Sequence, residues 1–509
     1  MMLERWHELS QRLERLARRR PALYRLRVLL VASLGYAAIG GAILVTAAGA
    51  VVAGFLAFEA RAVLPAVVAL SLTALAVTMA HTLWSALPAP QPNGLPLEAG
   101  VAPRLDELIA EVRVALRAPK LSAVLLDYDA NAGVIQQPRL LGLAGMRSTL
   151  LIGLPLLQAL TVGELRAVLA HEFGHVCGRH GRFTSWVIRQ RLTWGRLITQ
   201  LQAGRHRKMT FALSLFFGWY SPYLHAHTDA LERAREFEAD RVASSVVGRA
   251  TMERTLLKIT IVSSFITRTF HPALDRRALT EAEPPIGAQT ELAEALSRPE
   301  GPPEAGAWLQ AALLDRGDPF ASHPPLAERL AALADLPDGG PVRPGDERPS
   351  LELLGSEREV LTRRVDAAWR KSVAAGWHYR HRELREVSSV HERLTERTER
   401  GPMPTADMRT LVRTTEILRG PAEAKPVLAQ LLQAEPRDVF GHFTLGRILL
   451  DEGDVGGLEH LHRAMADPAA EPAACELAYD FLLRRGRADE AAQYRRRAQR
   501  RLRVLADVV

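Results

Sequence analysis

Cysteine is almost absent from this chain: Cys177 and Cys475 are the only two among 509 residues. Two cysteines in segments read as different domains build no disulfide framework, and their scarcity fits a reducing compartment. Cys177 reads as a small core residue rather than a metal ligand. Aromatic residues are sparse, at 6%. A net charge of +8 invites the thought of nucleic acid. The excess, however, is arginine spread along the chain, with no RRM, zinc-finger or helix-turn-helix signature, so nucleic acid is set aside as a partner. Charge is missing altogether from residues 28–58, and again from 62–87. About 20 apolar residues suffice to cross a bilayer, so each run is long enough. The length of the first run, with the second directly behind it, argues against a cleaved signal peptide.

The two runs read as a transmembrane helical hairpin over residues 27–87, broken at Glu59 and Arg61. Gly35, Gly40, Gly41, Gly49 and Gly54 would let its helices approach closely. Residues 1–26 form a basic segment. Trp6, Leu9, Leu13 and Leu16 share one helical face, with Arg5, Arg12, Arg15, Arg18, Arg19 and Arg20 around it. It reads either as a helix on an anionic membrane surface or as a solvated helix end. The positive-inside rule keeps this end cytoplasmic, and two spans return the chain to the same side.

Residues 161–179, TVGELRAVLAHEFGHVCGR, carry the chemistry. Thr161 and Glu164 form a Thr-x-x-Glu capping box, which marks a helix start. Leu165, Val168, Leu169 and Val176 recur at helical spacing. Within this helix lies His-Glu-x-x-His. His171 and His175 are four apart, so they face one way and can grip one zinc ion. Glu172, beside them, is placed to take a proton from a zinc-bound water. A catalytic zinc needs a third protein ligand and an open position. The helix 231–248 supplies a candidate in Glu236. Asp240, one turn on, is placed to hold the far nitrogen of a ligating histidine. Read alone, Glu236 and Asp240 would be a solvated acidic face.

Between these elements, Pro88, Pro90, Pro92, Gly94 and Pro96 read as a stiff linker. A helix follows around Leu105–Leu116, then strands at 121–126 and 148–152. The second strand precedes the metal helix. Either its free edge binds an extended peptide, or it only builds the sheet. Residues 209–226 are apolar and contain Gly218, Ser221 and Pro222; they read as a buried or membrane-grazing helix rather than a third span.

HEFGH followed by EFEAD resembles the gluzincin family of membrane-associated zinc peptidases, which contains the CaaX prenyl proteases and the HtpX heat-shock proteases. Residues 322–330, SHPPLAERL, are similar to the block that closes the catalytic domain in the CaaX proteases. Asn131-Ala132 looks like a pair that family members carry after the first strand. The resemblance covers about residues 100–335. It implies that His171, His175 and Glu236 bind zinc, with Glu172 as general base and Asp240 behind a ligand. It also implies that His323 and Arg329 lie near the catalytic centre, where they could stabilise the oxyanion. On the residues alone, His323 would be a turn residue and Arg329 a surface charge. The many-span chamber of the CaaX proteases is missing, which speaks against a prenylated substrate.

A Pro-, Gly- and Asp-rich stretch, 336–349, reads as a linker after a peptidase domain at 88–335. Residues 350–509 read as helical. Gly420, Gly453 and Gly486 recur every 33 residues, close to the 34-residue tetratricopeptide period. The expected fold is mainly α: a transmembrane hairpin, an α+β zincin-type peptidase domain with a small sheet, and a C-terminal helical repeat domain. The expected function is a membrane-anchored endopeptidase holding one zinc per chain. It would hydrolyse peptide bonds with a zinc-activated water, in membrane-protein quality control or regulated cleavage. Its place would be the inner or plasma membrane of a bacterium, with both termini and the catalytic domain cytoplasmic, and protein partners would dock on the repeats. The alternative is a membrane-tethered scaffold whose repeats bind partners and whose zinc site serves folding.

Overall fold

The computed structural model describes residues 9, 12–17, 19–86, 93–138, 146–177, 182–203, 211–298, 301–315, 323–337 and 343–506. Arg5, Trp6 and Arg18 of the basic segment, Pro88, Pro90 and Pro92 of the expected linker, Met209 and Ser322 lie outside the described residues. The chain forms two compact units. One comprises Met1–Val262, Ala293–Pro303 and Asp315–Val365; the other comprises Ser263–Leu292, Glu304–Leu314 and Asp366–Val509.

The first unit begins with two apolar helices, α1 (Pro21–Ala60) and α2 (Val63–Ala86). Both are long and apolar enough to cross a membrane. Only 28% of the apolar window of α1 and 11% of that of α2 is buried, whereas the core helix of a soluble domain would be mostly covered. Leu44, Val45, Val51, Phe55, Leu64 and Leu70 are all exposed. The hydroxyls of Ser71, Thr73, Thr78 and Thr82 donate to carbonyls four residues back, at 2.7–2.8 Å. That satisfies them inside their own helix, as an apolar solvent requires.

The chain then enters a four-stranded sheet. Strand β1 (Leu95–Leu97) leads to helix α3 (Pro103–Ala115) and strands β2 (Leu121–Asp127), β3 (Ala132–Pro138) and β4 (Met146–Gly153). The order is β1-β2-β4-β3, with β2 parallel to β4 and the other pairs antiparallel. Two expectations change here. Gly94 and Pro96 do not belong to a linker, because Leu95–Leu97 pairs with Leu126–Val124. Strand β4 has no free edge, since β2 and β3 occupy both sides; the outer strands are β1 and β3.

A short helix, α4 (Leu154–Ala159), turns the chain into α5 (Val162–Cys177). The capping box is present: the Thr161 amide donates to Glu164 Oε2 at 2.8 Å, and the Glu164 amide donates to Thr161 Oγ1 at 3.3 Å. Glu164 also receives Lys258 Nζ at 2.9 Å. Losing the hydroxyl removes one partner of an orphan amide, so Thr161→Ala should cost about 1 kcal/mol of stability. Chemical denaturation would read this as a lower midpoint at constant slope. The stretch expected as a free linker packs onto this helix start: the amides of Val162 and Gly163 donate to the carbonyls of Arg348 and Asp346 at 2.8 and 2.9 Å. Arg166 pairs with Asp346 and Glu111 at 3.1 and 2.6 Å. Around α5 a core gathers Leu105, Leu150, Ile152, Leu165, Leu169, Phe173, Leu354 and Leu361, joining the sheet, α3 and the segment after residue 350. Cys177, the last residue of α5, is exposed rather than a core residue.

Helices α6 (Arg182–Ala203) and α7 (Phe211–Val247) return to the apolar hairpin. Trp194 and Leu197 of α6 pack with Phe217, Tyr220 and Leu224 of α7 against Val31, Ala32 and Ile39 of α1 and Met79 of α2. Gly35 makes the approach possible: a Cβ there would lie 2.9 Å from the rings of Trp194 and Tyr220. Of the expected hairpin glycines, Gly49 does face α2, while Gly40 and Gly41 meet nothing. Residues 211–226 are the first half of a helix that runs on through Pro222 to the expected helix at 231–248; Phe217, Tyr220 and Leu224 are buried, and Leu215 and Trp219 are exposed. Among the described residues only α1 and α2 are long and apolar enough to cross a membrane.

The second unit is helical. Its last part is three helix pairs: Thr405–Arg419 with Pro421–Ala434, Val439–Asp451 with Gly457–Ala464, and Glu471–Arg484 with Ala488–Ala506. Gly420, Gly453 and Gly486 sit between the members of each pair at φ of 97°, 86° and 74°. Those left-handed values favour glycine, which is the physical content of the 33-residue spacing. Val412, Ala424 and Leu428 of the first pair pack on Ile448 of the second. Leu450 and Leu461 of the second pack on Ala478 and Phe481 of the third.

Candidate metal centre

Two helices make the site. Helix α5 brings His171, Glu172 and His175; α7 crosses it and brings Glu236 and Asp240. The crossing is close because residue 174, inside the HEFGH run, is glycine. A Cβ there would sit 3.1 Å from Ala239 Cα and 3.3 Å from Val242 Cβ. A larger residue would push Glu236 away from the histidines.

His171 Nε2 lies 3.6 Å from Glu236 Oε2, and His175 Nε2 lies 3.3 Å from Glu236 Oε1. One atom from each of these three residues falls within 4.8 Å of the others. Two donors each about 2.1 Å from one ion at a tetrahedral angle stand roughly 3.4 Å apart, so the spacing and the His-His-Glu donor set fit zinc. Behind this set, His171 Nδ1 is 2.9 Å from Asp240 Oδ1. A carboxylate at Nδ1 draws the ring proton to that side and leaves the Nε2 lone pair for a metal.

The C-terminal block of the first unit closes the site from α8 (Leu326–Ala334) and the turn before it. Arg329 donates from Nε to Asp240 Oδ2 at 2.8 Å and from Nη2 to Asp240 Oδ1 at 2.6 Å. Arg329 is therefore not the surface charge that its residue type alone suggests. Both donors go to the carboxylate behind His171, away from the open cleft. His323 Nδ1 lies 2.6 Å from Glu236 Oε2, and its ring is half exposed. The two residues expected at an oxyanion thus separate: His323 faces the cleft and Arg329 buttresses Asp240.

Charge follows burial here. Burial raises the Glu172 carboxyl above the ordinary range. Burial would raise Glu236 too, but hydrogen bonds to His175 and His323 hold it well below. Asp240 is likewise driven up by burial and brought down further by Arg329 and His171. Burial lowers His175 to about 4, so its ring is neutral and able to ligate at neutral pH. The hydrogen bond with Glu236 raises His323.

These residues open onto a cleft of about 1090 Å³. Glu172, His175, Glu236 and His323 form its floor. Asn131 and Ala132, at the start of β3, line it, as do Arg191, Leu192, Gly195, Arg196 and Thr199 of α6 and His225, Glu232 and Arg235 of α7. Sequence reasoning singled out Asn131 and Ala132 through the resemblance but did not reach strand β3 or the α6 wall. The available signal was the spacing of Arg191, Gly195 and Thr199, four apart and so on one helix face. Arg191 pairs with Glu232 and places Nη2 2.6 Å from His225 Nδ1.

Residues 102–336 match a family model described as Peptidase family M48. No curated protein matches the chain.

Proposed function

We propose, from the match of residues 102–336 to the family model described as Peptidase family M48, that this protein is a membrane-anchored zinc endopeptidase. The observation that carries the proposal is the convergence of His171 Nε2, His175 Nε2 and the Glu236 carboxylate, with Asp240 behind His171. These three residues would hold one zinc. When bound, the metal supplies a Lewis acid for the scissile carbonyl and acidifies a water. Glu172 is the general base: its raised proton affinity suits a group that takes a proton and then passes it to the leaving amine. His323, half exposed at the cleft, is a donor for the oxygen on which negative charge develops. Arg329 acts through Asp240 as a positioning residue.

An extended substrate would add to the outer edge of β3, whose start at Asn131 and Ala132 lines the cleft. Strand addition requires only main-chain hydrogen bonds, so it supports cutting within a chain. The bare apolar faces of α1 and α2 support a membrane-spanning hairpin. Tyr24 Oη, near the start of α1, donates to the His227 carbonyl at 2.7 Å, nine residues before Glu236. The site therefore belongs with the arginine-rich start of α1, which the positive-inside rule assigns to the cytoplasm. The three C-terminal helix pairs are read as a tetratricopeptide-like module for substrates or partners. Membrane-protein quality control or regulated cleavage suits this layout.

Metal removal tests the reading. Detergent-solubilised protein should hold one zinc per chain and cut casein internally. A chelator should abolish cutting, and one equivalent of zinc should restore it. Undiminished cutting by metal-free protein overturns the metal assignment, and products trimmed only at chain ends overturn the endopeptidase assignment. Zinc-loaded protein that cuts nothing, even without the helix pairs of residues 405–509, would leave a scaffold.

A further inference from the structure

Most arginines around the metal centre are committed to a carboxylate. Arg191 pairs with Glu232, Arg233 with Glu328 and Arg329 with Asp240. Arg196 bonds Thr193 Oγ1, and Arg235 differs from all of these. It lies one residue before Glu236, is half-buried and lines the cleft. Among the described residues it has no hydrogen-bond or ion-pair partner. Glu236, Glu232 and Glu172 act on it only through space. Each of those three carboxylates has another task. Glu232 is taken by Arg191, Glu236 faces the two histidines, and Glu172 is the proposed base. A guanidinium held partly out of water is costly unless an anion meets its planar fork of donors. Solvent in an open cleft meets that need only in part, and a bound carboxylate would meet it in full.

We propose that Arg235 is a specificity-determining residue that binds a substrate carboxylate beside the scissile bond, so that the enzyme prefers acidic peptides. The inference rests on the peptidase reading above and adds a substrate class to it. The carboxylate is either an Asp or Glu side chain or the free C-terminus of the peptide. Both offer the same two oxygens to the same fork. A charge-assisted hydrogen bond of this kind, partly shielded from water, corresponds to about a 10- to 100-fold preference over the uncharged isostere.

The test uses the full-length, zinc-loaded protein and a peptide library in which each Glu peptide has a Gln counterpart and each free acid has an amide counterpart. Wild type should turn over one acidic member of a pair about 10- to 100-fold faster than its neutral partner. The Glu/Gln pairs and the acid/amide pairs tell the two carboxylate sources apart. Arg235→Leu should bring the ratio close to one, Arg235→Lys should keep part of it, and Arg235→Glu should invert it in favour of Lys peptides. Zinc content confirms that each variant is folded; if the Leu variant loses zinc, the Lys and Glu variants decide. A second arm measures binding of the same pairs to Glu172→Gln protein. Acidic preference in binding without any cleavage by wild type keeps the Arg235 assignment and removes the peptidase reading. Cleavage with no acidic preference in either arm, or a preference that Arg235→Leu leaves intact, overturns the assignment. Absence of both binding and cleavage overturns it as well.

Discussion

Glu172→Gln should lower kcat by at least about 10³-fold while the protein still binds one zinc. General acid–base catalysis by a positioned side chain is worth roughly 10²–10⁴-fold, and here one carboxylate is asked to both take and return the proton. The amide is isosteric, so cleft shape and metal ligands stay in place. Burial that raises the Glu172 carboxyl above its ordinary range is what suits it to both tasks. Substrate affinity should hold, which places the loss in kcat rather than KM. The measurement is steady-state cleavage of a quenched fluorescent peptide, paired with metal analysis of the same preparation. Cleavage within tenfold of wild type would remove Glu172 from the chemistry.

Arg329→Met should destabilise the first unit by about 3–5 kcal/mol, because it strands the fully buried Asp240 carboxylate without its bidentate partner. For a domain of this size that corresponds to a fall in Tm on the order of 10 °C. Replacing both charges, as Asp240→Asn with Arg329→Met, should recover much of the stability, since no lone charge is then buried. It should not recover the metal site. Without a carboxylate at His171 Nδ1, zinc affinity should stay about 10- to 100-fold weaker. Thermal scans at one heating rate, with zinc titration of each variant, separate these two consequences. An Arg329→Met protein that melts within a degree of wild type would show that the pair does not tie α8 to α7.

The sequence carried the metal helix unusually far, because a capping box and a period-3.6 apolar face both act locally. Thr161 and Glu164 bond to each other's amides whatever lies elsewhere in the chain. The apolar hairpin and strands β2 and β4 were legible for the same reason: long uncharged runs and short apolar runs carry their own signal. Strand β3 was not. Its sequence, AGVIQQP, alternates weakly and ends in proline. Its place depends on pairing Ala132–Pro138 with Ile152–Met146, which no local pattern announces. Helix α7 reads from sequence as two pieces because an apolar run, 209–226, gives way to a charged one at 231–248; the first also contains Pro222, which removes an amide donor. Packing of Phe217, Tyr220 and Leu224 against α1 carries the helix across that position. The role of Arg329 was hidden for a related reason, since only the fold brings residues 240 and 329 together.

Helix α7 is unbroken from the aromatic residues that rest on α1 to the carboxylate that faces the histidines. Position along it is therefore measured in residues. From His227, held by Tyr24, to Glu236 is nine residues, about 14 Å of rise. One inserted residue in that interval would lift everything beyond it by about 1.5 Å and turn it by about 100°. Glu236 would then point away from His171 and His175, and Asp240 would lose Arg329 in the same motion. Seven inserted residues would nearly restore the direction but raise the site by about 10 Å. The interval between residues 227 and 236 should thus accept substitutions at its exposed positions but no change in length. A deep insertion–deletion scan of the gene would show it as a gap in tolerated indels.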